Sequence, residues 1–172
     1  MWSKFLQNHP AEKDGVSVRK INEEIVLYTI YRGSYDKVGA AIGKLFALAG
    51  SKAIKPQGPI SFVYLNNPRY VSSQHWLTEI RVPVGKETLK HAGTLGEMTD
   101  IKAVPAVELA VAVKPEGQAD PGPIYERLYT WIYKAGYMHI EDPRERFLTG
   151  ASTGDYARMK SEIMVPVMKV SE

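Results

Sequence analysis

The chain has no cysteine among its 172 residues. Disulfides, thiolate metal sites and cysteine nucleophiles are thereby excluded, and the absence agrees with a cytoplasmic setting. No apolar run approaches the roughly 20 residues that a helix needs to cross a bilayer. The opening "MWSKFLQNHPAEKDG" also has no apolar signal-peptide core, so a soluble protein without a membrane partner is expected. The net charge of +3 is dispersed in short pairs such as Arg19-Lys20. Such a chain lacks the basic stripe of a nucleic-acid binder. His9, His75, His91 and His139 show no metal-ligand spacing. The glycines of "GSYDKVGAAIG" lack the Gly-Lys-Ser/Thr end of a phosphate loop, and no Gly-x-Ser-x-Gly elbow occurs. Neither a metal nor a cofactor is expected.

What the chain does contain is a repeat. "TEIRVPV" (78–84) returns as "SEIMVPV" (161–167), with Glu79 and Glu162 in the same place. In both copies Ile and Val alternate with other residues, the pattern of a strand with one apolar face. The surroundings repeat as well. Strand-like runs Val16–Lys20 and Ile25–Tyr31, joined by a polar turn at 22–24, lead into a helix predicted over 34–50. Ser34 is its expected cap, Gly50 its expected end, and Val38, Ile42, Leu45, Phe46 and Ala49 its apolar stripe. Strands "ISFVYLN" and "HWLTEIRVPV" follow. The second half runs through a strand in "VPAVELAVAVK" and a helix in "PGPIYERLYTWIYKAGY". It ends with strands "RERFLTG" and "SEIMVPV". Ile124, Leu128, Trp131, Ile132 and Ala135 form the second helix's stripe, so that Leu128 corresponds to Ile42.

The expected fold is α+β, a tandem strand–helix–strand–strand repeat with pseudo-twofold symmetry. One antiparallel sheet would carry two main helices and a central ligand cleft. Residues 1–172 form a single domain in this reading, with a first unit over 16–85, a linker over 86–103 and a second unit over 104–170.

The Ile/Val face of each repeated strand must meet the core. Glu79 and Glu162 then lie on the other side of the sheet, facing solvent, a cleft or the opposite unit. Trp76, Tyr64, Tyr70, Tyr137, Phe147 and Tyr156 fall in or beside the same strands. A carboxylate among aromatics suits a flat, amphipathic or cationic organic compound. Glu145 shares a strand face with Phe147 and is a further carboxylate candidate beside Glu162. The expected ligand-binding set is Glu162, Glu145, Glu79, Trp76, Tyr64, Tyr137 and Phe147.

"YRGSYDKVGAAIGKL", "LTEIRVPV", the Gly136-Tyr137 pair, "RERF" and "SEIMVPV" together resemble the GyrI-like small-molecule-binding family. These are relatives of the effector-binding domains of AraC-type and MerR-type multidrug regulators. The resemblance spans about Gly15 to Lys169. It implies a cleft between the two units, lined by aromatics, with a carboxylate on the last strand, here Glu162, and one on the preceding strand, here Glu145. In such regulators the effector-binding domain follows a helix-turn-helix module, and here the resemblance begins at about Gly15, so a stand-alone, monomeric binder of hydrophobic or aromatic compounds is expected, without direct nucleic-acid contact. The resemblance also implies an alternative, a hydrolase opening the cyclopropane rings of DNA-alkylating natural products, with Glu162, Glu145 and Tyr137 as its catalytic candidates. Haem-binding SOUL-type proteins share the fold, but this sequence positions no axial histidine.

Overall fold

The computed structural model describes residues 15–148 and 155–170. It contains β1 (Ser17–Ile21), β2 (Glu24–Arg32), α1 (Val38–Ser51), β3 (Ser61–Tyr64), β4 (Leu77–Val84) and β5 (Thr99–Val104). These are followed by β6 (Val107–Lys114), α2 (Gly122–Lys134), β7 (Tyr137–His139), β8 (Arg144–Phe147) and β9 (Ser161–Lys169). The strands form one curled antiparallel sheet in the order β1-β6-β9-β8-β3-β4-β2-β5, with β7 also paired to β9. The expected α+β class with a mostly antiparallel sheet and two main helices is what the chain adopts.

From the central β3–β8 pair outward, one side runs β3-β4-β2-β5 and the other β8-β9-β6-β1. The element order of the two halves therefore corresponds. The outermost strands are exchanged, β1 pairing β6 and β5 pairing β2. The segment read as a linker is thus partly sheet. Its Lys86–His91 stretch forms a 3-10 turn, while Thr99–Val104 is β5, bonded along β2. A short run of mixed polarity such as "TDIKAV" gives a weak period-2 signal, and it becomes a strand because the β2 edge is there to receive it.

Each helix lays its stripe on one half of the sheet. Val38, Ile42, Leu45 and Ala49 of α1 pack with Ile25, Leu27, Ile80, Val82 and Val84. Ile124, Leu128 and Ile132 of α2 cover Ala110, Ala112, Ile163, Val165 and Val167. The small alanines of β6 let that helix approach closely. Each fully buried Leu or Ile contributes roughly 1.5–3 kcal/mol, so these stripes hold the helices in place.

Local details differ from expectation. Ser34 leads into a 3-10 turn, Tyr35–Lys37, without capping it through its side chain, and α1 begins at Val38. Helix α1 runs past Gly50 to Ser51, and Ala53 takes the left-handed conformation (φ 53°) beyond it. Gly136 does end α2 in that conformation, at φ 77°, where a residue without Cβ avoids the steric cost. Phe46 remains 38% exposed. Among the described residues no helix is long and apolar enough to cross a membrane.

Candidate functional site

Between α2 and the turn that precedes α1 lies a cleft of about 1300 Å³ over the β3–β8 pair. It opens on the helix side of the sheet. Strand alternation explains the floor. Phe62 and Tyr64 of β3 point the same way, as do Glu145 and Phe147 of β8, and the register sets Phe62 opposite Glu145. Ile163 of β9 lies opposite Glu145 on the other side, so Glu145 occupies a core-facing position at the point where the packed core gives way to the cleft.

The first-half wall is aromatic. Tyr35, in the turn before α1, stacks on Trp76 with ring centroids 4.4 Å apart, and meets Tyr64 edge-on at 5.4 Å. The Trp76 indole donates to the Val71 carbonyl at 2.8 Å, fixing the ring. Phe62, Phe147 and Tyr156 form a second group with centroids 4.7 to 5.6 Å apart. From α2, Tyr125 and Tyr129 face the cleft one helical turn apart.

Glu145 is only 6% exposed, yet its carboxylate is well supplied. It accepts from the Tyr64 hydroxyl, and from Ser161 Oγ at 2.6 Å. Lys114 Nζ stands 3.6 Å from its Oε1. That lysine is 2% exposed and also donates to the carbonyls of Ala157 (2.7 Å) and Met159 (2.9 Å). Burial, followed by the negative field of Glu145, pushes the Tyr35 phenol up to about 12. The same two causes hold Tyr64 and Tyr125 well above the ordinary tyrosine range. All three phenols are therefore neutral hydroxyls at physiological pH. Chemically, the cleft offers flat apolar rings, hydroxyl donors and one buried carboxylate–ammonium pair.

Four of the expected site residues come together here: Glu145, Tyr64, Trp76 and Phe147. Three do not. Glu162 lies on the sheet face away from the helices, 3% exposed, and forms an ion pair with Arg19 at 2.9 Å. Its face-mate Met164 packs separately with Leu109 and Val111. Glu79 is on that same far side of the sheet, bonded to Arg81 and, at 2.8 Å, to Lys102. Burial alone would raise its carboxyl, but the hydrogen bonds and charges of Lys102 and Arg81 outweigh it and hold the group below its ordinary value. Tyr137 sits on β7 beside α2, stacked with Trp131 at 6.0 Å. Geometry separates these three from the other four. A cleft needs walls that rise above the sheet, and α2, the turn before α1 and Trp76 supply them on the helix side, whereas Glu79 and Glu162 on the opposite face are taken up by ion pairs.

Lys114, Tyr35, Tyr125 and Tyr129 were missed. Lys114 had a legible signal, since it falls in phase with the buried Ala110 and Ala112 of β6 and is thus a charge at a core-facing position. Tyr125 and Tyr129 sit at i and i+4 beside the Ile124–Leu128 stripe, which is also visible in sequence. Tyr70, by contrast, is 80% exposed. Among the described residues no group of three or more His, Asp or Glu side chains is placed to hold a metal.

The comparisons follow the same lines. Residues 4–85 match the model of the GyrI-like small molecule binding domain. The C-terminal domain of EcmrR has the same fold, with a TM-score of 0.69 at 17% identity over 90% of this chain and 98% of that domain. The chain spans 57% of the longer EcmrR chain seen in a complex with DNA. A structure described as a hydrolase from Listeria innocua gives a TM-score of 0.69 at 13% identity, covering 96% of both chains. SAV2435, solved bound to tetraphenylphosphonium, gives 0.52 at 11% identity over 89% of this chain and 93% of its own. No curated protein matches the chain in sequence. Residues 4–85 thus resemble the GyrI-like small molecule binding domain in sequence, and the fold is shared along nearly the whole chain with the EcmrR C-terminal domain.

Proposed function

We propose that the chain binds hydrophobic aromatic organic compounds in the cleft over β3 and β8, and so senses or sequesters them. The observation that carries this reading is the pair of facing aromatic walls, Tyr35–Trp76–Tyr64 and Tyr125–Tyr129, above the buried Glu145. Flat rings between such walls gain burial and stacking, while the hydroxyls orient polar substituents. Tetraphenylphosphonium on SAV2435 supports an aromatic ligand class. The protein is taken to act as a cytoplasmic monomer that does not itself contact nucleic acid. Titration with tetraphenylphosphonium and planar aromatic dyes, followed by thermal shift and tryptophan quenching, tests the reading. Trp76→Ala should weaken binding roughly 2- to 10-fold, the worth of one stacked pair. If no aromatic compound raises the melting temperature, or if Trp76→Ala and Tyr64→Ala leave every affinity unchanged, the reading fails.

A second reading is favoured by the donors around Glu145 and by the hydrolase from Listeria innocua with the same fold. In it the protein adds water to a cyclopropane ring of an electrophilic natural product. The water oxygen bonds the ring carbon as the strained C–C bond breaks. Glu145 takes the water proton, Tyr125 protonates the oxygen that receives the released electron pair, and the proton on Glu145 restores Tyr125. The roles pass from Glu162 and Tyr137, which lie outside the cleft, to Glu145 and Tyr125. Mass analysis of an incubated cyclopropane compound decides the matter: a product heavier by one water supports hydrolysis, and an unchanged compound excludes it.

A further inference from the structure

We propose that Lys114 sets the charge preference of the cleft, directing it to neutral aromatic compounds that carry a hydrogen-bond acceptor oxygen rather than to organic cations. The inference rests on the binding reading above and concerns what is bound there. A lone buried carboxylate among aromatic rings would favour a cation. Here the carboxylate is not alone. Lys114 reaches Glu145 from within the protein, its Nζ 3.6 Å from Oε1. Three backbone carbonyls, those of Ala157, Met159 and Gln118 (3.4 Å), hold the ammonium there. Ser161 donates to the same oxygen and Tyr64 to the other, so both carboxylate oxygens already have a partner. A cation entering the cleft meets a neutral pair whose positive member also lines the floor, and gains little from Glu145.

The unused capacity is of the opposite kind. The hydroxyls of Tyr35 and Tyr125 form no hydrogen bond among the described residues, and both rings line the cleft. Each can donate to a carbonyl or phosphoryl oxygen placed between the walls, and the positive charge of Lys114 favours the same partial negative charge. Four charged side chains stand near the mouth, Asp120, Glu126 and Asp142 against Arg69. All four are exposed, so solvent and salt screen them far more than the buried pair beneath.

Methyltriphenylphosphonium and triphenylphosphine oxide make a matched pair of probes, similar in shape, one a cation and the other a neutral acceptor. Their affinity ratio within one protein cancels any general loss of stability. For the wild-type chain the oxide should bind at least as tightly as the phosphonium. Lys114→Met should shift the ratio towards the phosphonium by about tenfold or more, and Lys114→Arg, which keeps the charge, should leave it within about threefold of wild type. Glu145→Gln leaves Lys114 without its partner and should shift the ratio the other way, so the proposal remains testable if Lys114→Met does not fold. A wild type that prefers the phosphonium tenfold, or a ratio that neither Lys114→Met nor Glu145→Gln moves, overturns the role of Lys114 while leaving aromatic binding intact. Binding of neither probe overturns both readings.

Discussion

Replacing Glu145 by Gln keeps the shape of the side chain and removes its charge, and the stability cost follows from what stands around it. The Tyr64 hydroxyl retains an acceptor oxygen if the amide turns that way, so this bond is largely conserved. The Ser161 hydroxyl, at 2.6 Å, can reverse and accept from the amide. Lys114 is the member that suffers. Its ammonium, 2% exposed, then faces an amide instead of a carboxylate. Breaking a buried ion pair costs about 3–5 kcal/mol when the remaining charge has no other support. Here the pair is separated by 3.6 Å, and the carbonyls of Ala157 and Met159 still accept from Nζ. The expected loss is therefore about 2–3 kcal/mol, below that range. In a chain of this size each kcal/mol moves the melting temperature by about 2–4 °C, so the fall should be roughly 4–12 °C. Thermal and urea unfolding at pH 7, followed by circular dichroism, measure it. The double variant Glu145→Gln with Lys114→Met has no unpaired charge and should be more stable than the sum of the two single losses predicts. A Glu145→Gln loss under about 0.5 kcal/mol, or strict additivity in the double variant, would refute the coupling of the two groups.

Other outcomes follow from the same geometry. Glu162→Gln should lower stability by about 1–3 kcal/mol through the loss of its buried bond to Arg19, yet change the affinity for an aromatic ligand less than twofold; a larger affinity loss in equilibrium titration would restore Glu162 to the site. Leu128→Ala, emptying a fully buried position under α2, should cost about 2–5 kcal/mol in urea unfolding, well above Phe46→Ala. Alkaline titration by phenolate absorbance should lag behind that of the unfolded chain. The folded pKa of Tyr35 is raised from 10.0 to about 12, so its contribution to stability is complete below pH 10 and disappears as the pH rises towards 12. The lag should therefore shorten in Tyr35→Phe.

Much of this protein was determined by the order of its residues alone. Period-2 alternation placed Ile80, Val82, Ile163 and Val165 on a core face, and helical spacing placed Ile42 and Leu128 beneath their helices, because burial of an apolar stripe is a local demand that the chain satisfies in only one way. The duplicated element order, the aromatic character of the site and the pairing of Glu145 with Phe147 on one face followed from the same patterns. Tertiary structure alone decided which side of the sheet is the cleft. Alternation says which residues share a face, but Glu79 and Glu162 become buried ion-paired groups because Arg19 and Lys102 arrive from other strands, Lys102 joining Arg81 of Glu79's own strand. Glu145 becomes the carboxylate of the cleft because the β3–β8 register sets it opposite Phe62, beneath the tyrosines of α2 and Tyr35. The exchange of β1 and β5 between halves was equally hidden, since an edge strand of mixed polarity is made by the hydrogen bonds its neighbour offers and not by a pattern of its own.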